Sequence, residues 1–152
     1  MDYFAVEHLS VERLLKDWRW LCPKQLSLVA RNAFGDLFLQ NDAGRILWLE
    51  VATGRISEVA DSQKSFRTYA ETEEMRQRWF ATNDETQAAS RGLVPGPEQC
   101  IGFSIPLVFA ESGYPENPYV ADFYDYISFL GDVHRQIAEL PAGTKVKLVV
   151  KD

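Results

Sequence analysis

The stretch from Ala33 to Val59 most constrains what this chain can fold into. AFGDLFLQ (33–40) is rich in strand formers, NDAG (41–44) is a hairpin-type loop, and RILWLEV (45–51) reads as the returning strand. Thr53-Gly54 turns the chain again into a short strand around Ile56–Val59. Side chains alternate along a strand, so Leu37 and Leu39 share one face while Phe34 and Phe38 share the other. A strand apolar on both faces is predicted to be central and covered on both sides.

Helical signals bracket this meander. Ser10 is a candidate N-cap, with Leu9 and Leu14 as a hydrophobic staple and Leu14, Trp18 and Leu21 at helical spacing before Pro23. A second short helix is read from Gln25 to Ala30. Asp61 or Ser62 caps a helix holding Phe66, Tyr69 and Ala70. Thr72 caps the next, with Glu73 and Glu74 in the first turn, where the helix dipole favours anions. Thr82 with Glu85 suggests a capping box, closed by Gly92. Beyond the Pro95-Gly96-Pro97 loop, CIGFSI (100–105) alternates as a strand, a further strand is read near 119–126, and residues 128–140 form a helix with Leu130, Val133, Ile137 and Leu140 as its stripe. The tail alternates Val146, Leu148 and Val150 against lysines, as an edge strand does. Strands, then helices, then strand, helix and strand predict an α+β fold: an antiparallel β-sheet with helices packed mainly on one side. The chain is read as a single domain over 1–152, with residues 1–29 a helical N-terminal extension and 30–152 the α+β body.

Charge narrows the partners. With 22 acidic and 16 basic residues among 152, the chain carries −6 at neutral pH, the opposite of the basic footprint of nucleic-acid binders. Direct nucleic-acid and acidic-membrane binding are therefore demoted, and a basic protein partner is favoured. Cys22 and Cys100 show no zinc spacing and read as buried thiols of a reducing compartment. Acids at Asp2, Glu7 and Glu12 argue against a secretory or transit leader, and no apolar run approaches the ~20 residues of a membrane helix. A cytoplasmic location is expected.

Motifs for phosphate cradles, HExxH or CxxC metal sites and nucleophile elbows are absent from the sequence, so no catalytic residue, metal or cofactor is assigned. His134 borders the apolar stripe of its helix and reads as a structural histidine. The segment Glu111 to Asp132 stands out: five carboxylates, no lysine or arginine, and six aromatic residues. It admits three readings. One is a solvated acidic loop beside core aromatics. Another is a protein-binding surface of Glu111, Tyr114, Glu116, Tyr119, Asp122, Tyr124 and Asp125, since tyrosines anchor interfaces and carboxylates pair with a partner's Arg and Lys. The third is an acid/base or divalent-ion site, with Asp122, Asp125 and His134 as the enzyme variant. Of Trp18 and Trp20, which cannot share one helix face, one is expected to be exposed or to rest against the sheet.

ARNAFGDLFLQNDAGRILWLEVATGRISEVADS (30–62), GPEQCIGFSIPLVF (96–109) and SFLGDVHRQIAELPAGTKVKL (128–148) occur in that order. Together they resemble the C-terminal domain of type VI secretion immunity proteins, a bacterial domain of unknown function related to the SUKH immunity superfamily. FGDLF (34–38), Trp48-Leu49 and CIGFSIP (100–106) carry most of the likeness. The resemblance implies an α+β fold and a non-enzymatic role, in which the protein binds a cognate secreted effector toxin, often a nuclease, and neutralises it in the cytoplasm. The family motif positions argue packing and turns, so no binding residue is transferred from them. Better-characterised members have a longer N-terminal region than residues 1–29 here. A regulatory or scaffold domain without a toxin partner is the alternative.

Overall fold

Three consecutive residues, Leu37, Phe38 and Leu39, are completely buried and organise the molecule. In the structure, a computed structural model describing residues 1–104 and 118–141, β1 (Ser27–Arg31), β2 (Leu37–Gln40), β3 (Ile46–Glu50) and β4 (Arg55–Ala60) form one antiparallel sheet in that order. β2 is internal, paired to β3 in the register Leu37↔Leu49, Phe38↔Trp48, Leu39↔Leu47 and Gln40↔Ile46. The hairpin between them is the one expected. The Asn41 side-chain oxygen accepts the N–H groups of Ala43 and Arg45, both at 3.0 Å, and Gly44 takes φ +79°, a conformation a β-carbon disfavours.

Because β2 is apolar on both faces, the helices divide between the two sides of the sheet. Leu37 and Leu39 join Leu14, Leu15, Trp18, Leu49, Phe123, Ile127 and Leu130 on one. Phe38 joins Phe66, Trp79 and Phe80 on the other, with its ring centroid 5.1 Å from Phe66 and 5.4 Å from Phe80. Each such aromatic contributes about 1.5–3 kcal/mol through burial. The class is the antiparallel α+β one read from the sequence, but the helices flank both faces of the sheet rather than mainly one, because β2 is apolar on both.

The second cluster is built by α2 (Gln63–Tyr69) and α3 (Glu73–Phe80), whose caps are Ser62 and Thr72; their hydroxyls accept the N–H groups of Ser65 and Met75. α4 (Thr82–Ser90) departs from the expected capping box. Its preceding residue, Ala81, lies in the left-handed region at φ +50° and makes no side-chain cap, because α4 follows α3 directly and Ala81 terminates one helix while starting the other.

Three segments differ from their sequence pattern. Residues 25–30 form no helix; β1 runs through them and pairs with β2, an exchange a short apolar run permits. The boundary between 29 and 30 consequently falls inside a strand. The helix read from Ser10 is a single turn, α1 (Val11–Leu14), capped as expected by Ser10. Beyond it, tight turns such as Trp18 N–H to Leu15 O at 2.9 Å bury Trp18 completely and leave Trp20 at 38% exposure, stacked on Trp18 with its indole N–H on Asp17 O and Gly131 O. Residues 33–36 are not strand but the turn between β1 and β2. The Asn32 side-chain oxygen accepts the N–H groups of Phe34 and Asp36 there.

β5 (Gln99–Phe103) and β6 (Pro118–Asp122) make a separate antiparallel ribbon with Phe103 opposite Pro118. α5 (Phe123–Ala138) begins immediately after β6, earlier than its apolar stripe predicts, because Asp122 caps it by accepting the Asp125 N–H at 3.0 Å. The tail strand read over 144–150 lies outside the described residues.

Candidate functional site

Of the seven residues expected to bind a partner, Glu111, Tyr114 and Glu116 lie outside the described residues. Tyr119 is 42% exposed on β6, its ring edge-on to Tyr126 at 6.3 Å. Asp122 and Asp125 are exposed at the start of α5. Tyr124 must be removed from the surface: it is buried, its hydroxyl accepts the Ser10 N–H at 2.9 Å, and the Arg13 guanidinium lies 3.8 Å over its ring. It ties the N-terminal segment to α5 and cannot meet a partner. An aromatic at helix position two, rather than on a strand, turns inward with Phe123 and Ile127.

The structure does not bring Asp122, Asp125 and His134 together. His134 follows Asp122 by twelve positions on one helix, about 18 Å along its axis. It is buried, with Nε2 donating to Val51 O at 2.9 Å, and burial lowers its pKa below the usual imidazole value despite the opposing carbonyl contacts. Gly54 permits that approach, since a β-carbon there would sit 2.6 Å from His134 Nδ1. The histidine is a strut between α5 and the β3–β4 turn.

Beside Tyr119 the chain forms a cleft of about 180 Å³, lined among others by Phe34, Asp36, Arg78, Asp84, Phe103 and Tyr126. Three regions distant in sequence meet here: the β1–β2 turn, the α3–α4 junction and the β5–α5 unit. Asp36 touches the cleft with part of its surface, while its carboxyl is turned inward and enclosed. One oxygen accepts the Val51 N–H at 3.0 Å; the other accepts from Trp48 Nε1 at 3.1 Å and Asn32 Nδ2 at 3.2 Å. Burial pushes its pKa up to about 6, against the three donors, which favour the charged form. Asn32 Nδ2 also donates to Trp79 O at 3.0 Å, so the network joins sheet, turn and α3.

Asp84 supplies a half-buried carboxylate to the cleft, with one oxygen accepting from Gln77 Nε2 at 3.2 Å. Arg78 is exposed at the same cleft. The Tyr126 hydroxyl accepts the Phe103 N–H at 3.1 Å, and burial holds its pKa well above the usual phenol value. Phe34 and Phe103 stack at 6.5 Å. The result is an aromatic lip, Tyr119–Tyr126–Phe103–Phe34, connecting an exposed tyrosine to a cleft that holds Asp84 and, behind its wall, Asp36.

Sequence reasoning assigns none of Asp36, Arg78 and Asp84 to a site. The available signal is Asp36, an acid interrupting an apolar run after Gly35. Cys22 and Cys100 are buried free thiols with pKa values pushed up by burial to about 11 and about 12, so neither forms a reactive thiolate at neutral pH. Among the described residues there is no group of three or more metal-ligating side chains, and no helix is long and apolar enough to cross a membrane. The chain matches no protein-family model, and no curated protein matches it.

Proposed function

We propose that this chain is a non-enzymatic binding protein that neutralises a basic, nuclease-type effector by covering its cationic surface, as an immunity protein does. The aromatic lip carries this reading. Exposed Tyr119 joins an acidic segment devoid of lysine and arginine to a small concave cleft walled by Phe34, Phe103 and Tyr126. An amphipathic ring beside a small concave site is what interface anchors look like, and surrounding carboxylates steer a basic partner toward it. Asp122 lies roughly 10 Å beyond Tyr119 at the strand rise and Asp125 farther on in the first turn of α5; both belong to the steering rim rather than the anchor.

The test is to mix the purified chain with the product of the gene adjacent to its own and measure complex formation at low salt. A stable complex that Tyr119→Ala weakens by roughly tenfold or more, the loss of about 1.4 kcal/mol or greater typical of an anchor, supports the proposal. Failure to bind any neighbouring gene product, or a complex indifferent to Tyr119, contradicts it.

A further inference from the structure

A second cleft, of about 530 Å³, lies between the N-terminal segment and the Pro95–Pro97 loop and is lined in part by Asp2, His8, Arg31 and Pro97. That volume is within the range of small-molecule sites. Arg31 is its unusual member. The residue is 2% exposed, yet no carboxylate lies within ion-pair distance of it among the described residues. Its guanidinium instead donates to three neutral carbonyls, Asn32 O at 3.1 Å, Pro97 O at 3.3 Å and Gln99 O at 2.6 Å. The guanidinium also rests 4.0 Å over the Phe123 ring. A guanidinium carries five N–H groups in a fixed fork, so three carbonyl bonds leave donor capacity as well as charge.

Buried charges are ordinarily paired or neutralised. Among the described residues the carboxylate that acts on Arg31 from a distance is Glu85, which is engaged by the Tyr3 hydroxyl and by the Met1 amino group at 3.5 Å. Burial pulls the Arg31 pKa down to about 10, the direction of a cation whose compensation is incomplete. His8 converges on the same place: its Nε2 lies 2.9 Å from the Pro97 oxygen that also accepts from Arg31. Imidazole and guanidinium are thus held at one oxygen beside an open cleft, with apolar walls from Ala5 and the two prolines.

We infer that this cleft binds a small molecule bearing a carboxylate or phosphate group, its oxyanion meeting Arg31 beside the His8 ring and its apolar part resting against Ala5, Pro95 and Pro97. Planar donor forks suit both oxyanions. Asp2 opposes the ligand's charge, although its Oδ1 is held by the Phe4 N–H at 3.0 Å. The site is separate from the aromatic lip, so its failure leaves the proposed protein-binding role untouched.

Phenyl phosphate and benzoate, which differ only in their anionic group, are titrated into the full chain by calorimetry, with benzylammonium as the cationic control, while the His8 ring resonances are followed by NMR. Saturation by at least one anion, with Kd below about 1 mM and a matching shift of the His8 ring, is expected. Binding by phenyl phosphate alone assigns a phosphoryl ligand, and by benzoate alone a carboxylate. Arg31→Gln should weaken binding at least tenfold and Asp2→Asn should tighten it two- to threefold. If Arg31→Gln does not fold, exposed His8→Ala supplies the variant and should weaken binding at least threefold. No saturation by either anion below 10 mM (about tenfold above the expected Kd), equal binding of benzylammonium, or affinity unchanged in the folded variants would overturn the inference.

Discussion

Asp36 makes the pH dependence of stability unusual in sign, and that can be measured. Its carboxyl has a folded-state pKa of about 6 against an ordinary 3.8. A carboxyl whose pKa is raised by folding binds its proton more tightly in the native state, so this group stabilises the fold at acid pH. Its contribution declines as pH rises from about 4 to just above 6. At roughly 1.36 kcal/mol per pH unit, the separation corresponds to about 3 kcal/mol lost across that window. Asp36→Asn removes the titration. It also turns an amide N–H toward a donor that the carboxylate now accepts from, either the Val51 N–H or the Trp48 and Asn32 pair, leaving a buried donor unsatisfied at a further ~1–3 kcal/mol. The assay is urea unfolding of both proteins at half-unit steps from pH 4 to pH 7.5. The wild type should lose stability relative to Asp36→Asn by about 2–3 kcal/mol from the acid to the neutral end. Parallel curves would refute the claim that this carboxyl is enclosed against its own solvation.

Other perturbations test the packing that positions the site. Gly131→Ala places a β-carbon 2.5 Å from the Asp17 backbone oxygen; the Trp18–Trp20 turn must move off α5, and thermal melts should show a loss of about 2–4 kcal/mol. Asp122→Ala should lower stability by about 1 kcal/mol through the lost cap, whereas Asp122→Asn, an equally good cap, should not; equal losses would mean that the cap is not what starts α5. Ala81→Gly relieves a left-handed alanine at φ +50° and should raise stability by roughly 0.5–1 kcal/mol, read by the same melts, with Ala81→Val lowering it.

What is legible in the sequence is local. Asn41 and Gly44 announce the hairpin, and Ser62 and Thr72 announce α2 and α3, because each carries its own backbone hydrogen bond or dihedral preference. Leu37, Phe38 and Leu39 reveal a central strand by their pattern alone. Residues 25–30 are not legible, since an apolar run fits helix and strand alike and pairing with β2 decides. The alternating aromatics of 123–126 suit a strand until Asp122 caps them into α5. The cleft is hidden for a different reason: Asp36, Arg78, Asp84 and Tyr126 come from four elements or turns, and only tertiary packing makes them neighbours. Tyr124 shows the converse, a residue with interface chemistry that packing withdraws from the surface.

The claim that this chain works by occupying a basic macromolecule is tested most directly by stopped-flow association with the adjacent gene's product over a salt series. Variants Glu116→Gln, Asp122→Asn and Asp125→Asn are combined to remove three charges while keeping the α5 cap. Electrostatic steering predicts an association rate well above ~10⁵–10⁶ M⁻¹s⁻¹ at low salt, falling steeply with ionic strength and in the triple variant, with dissociation little changed. An association rate that ignores both salt and the three substitutions would contradict it.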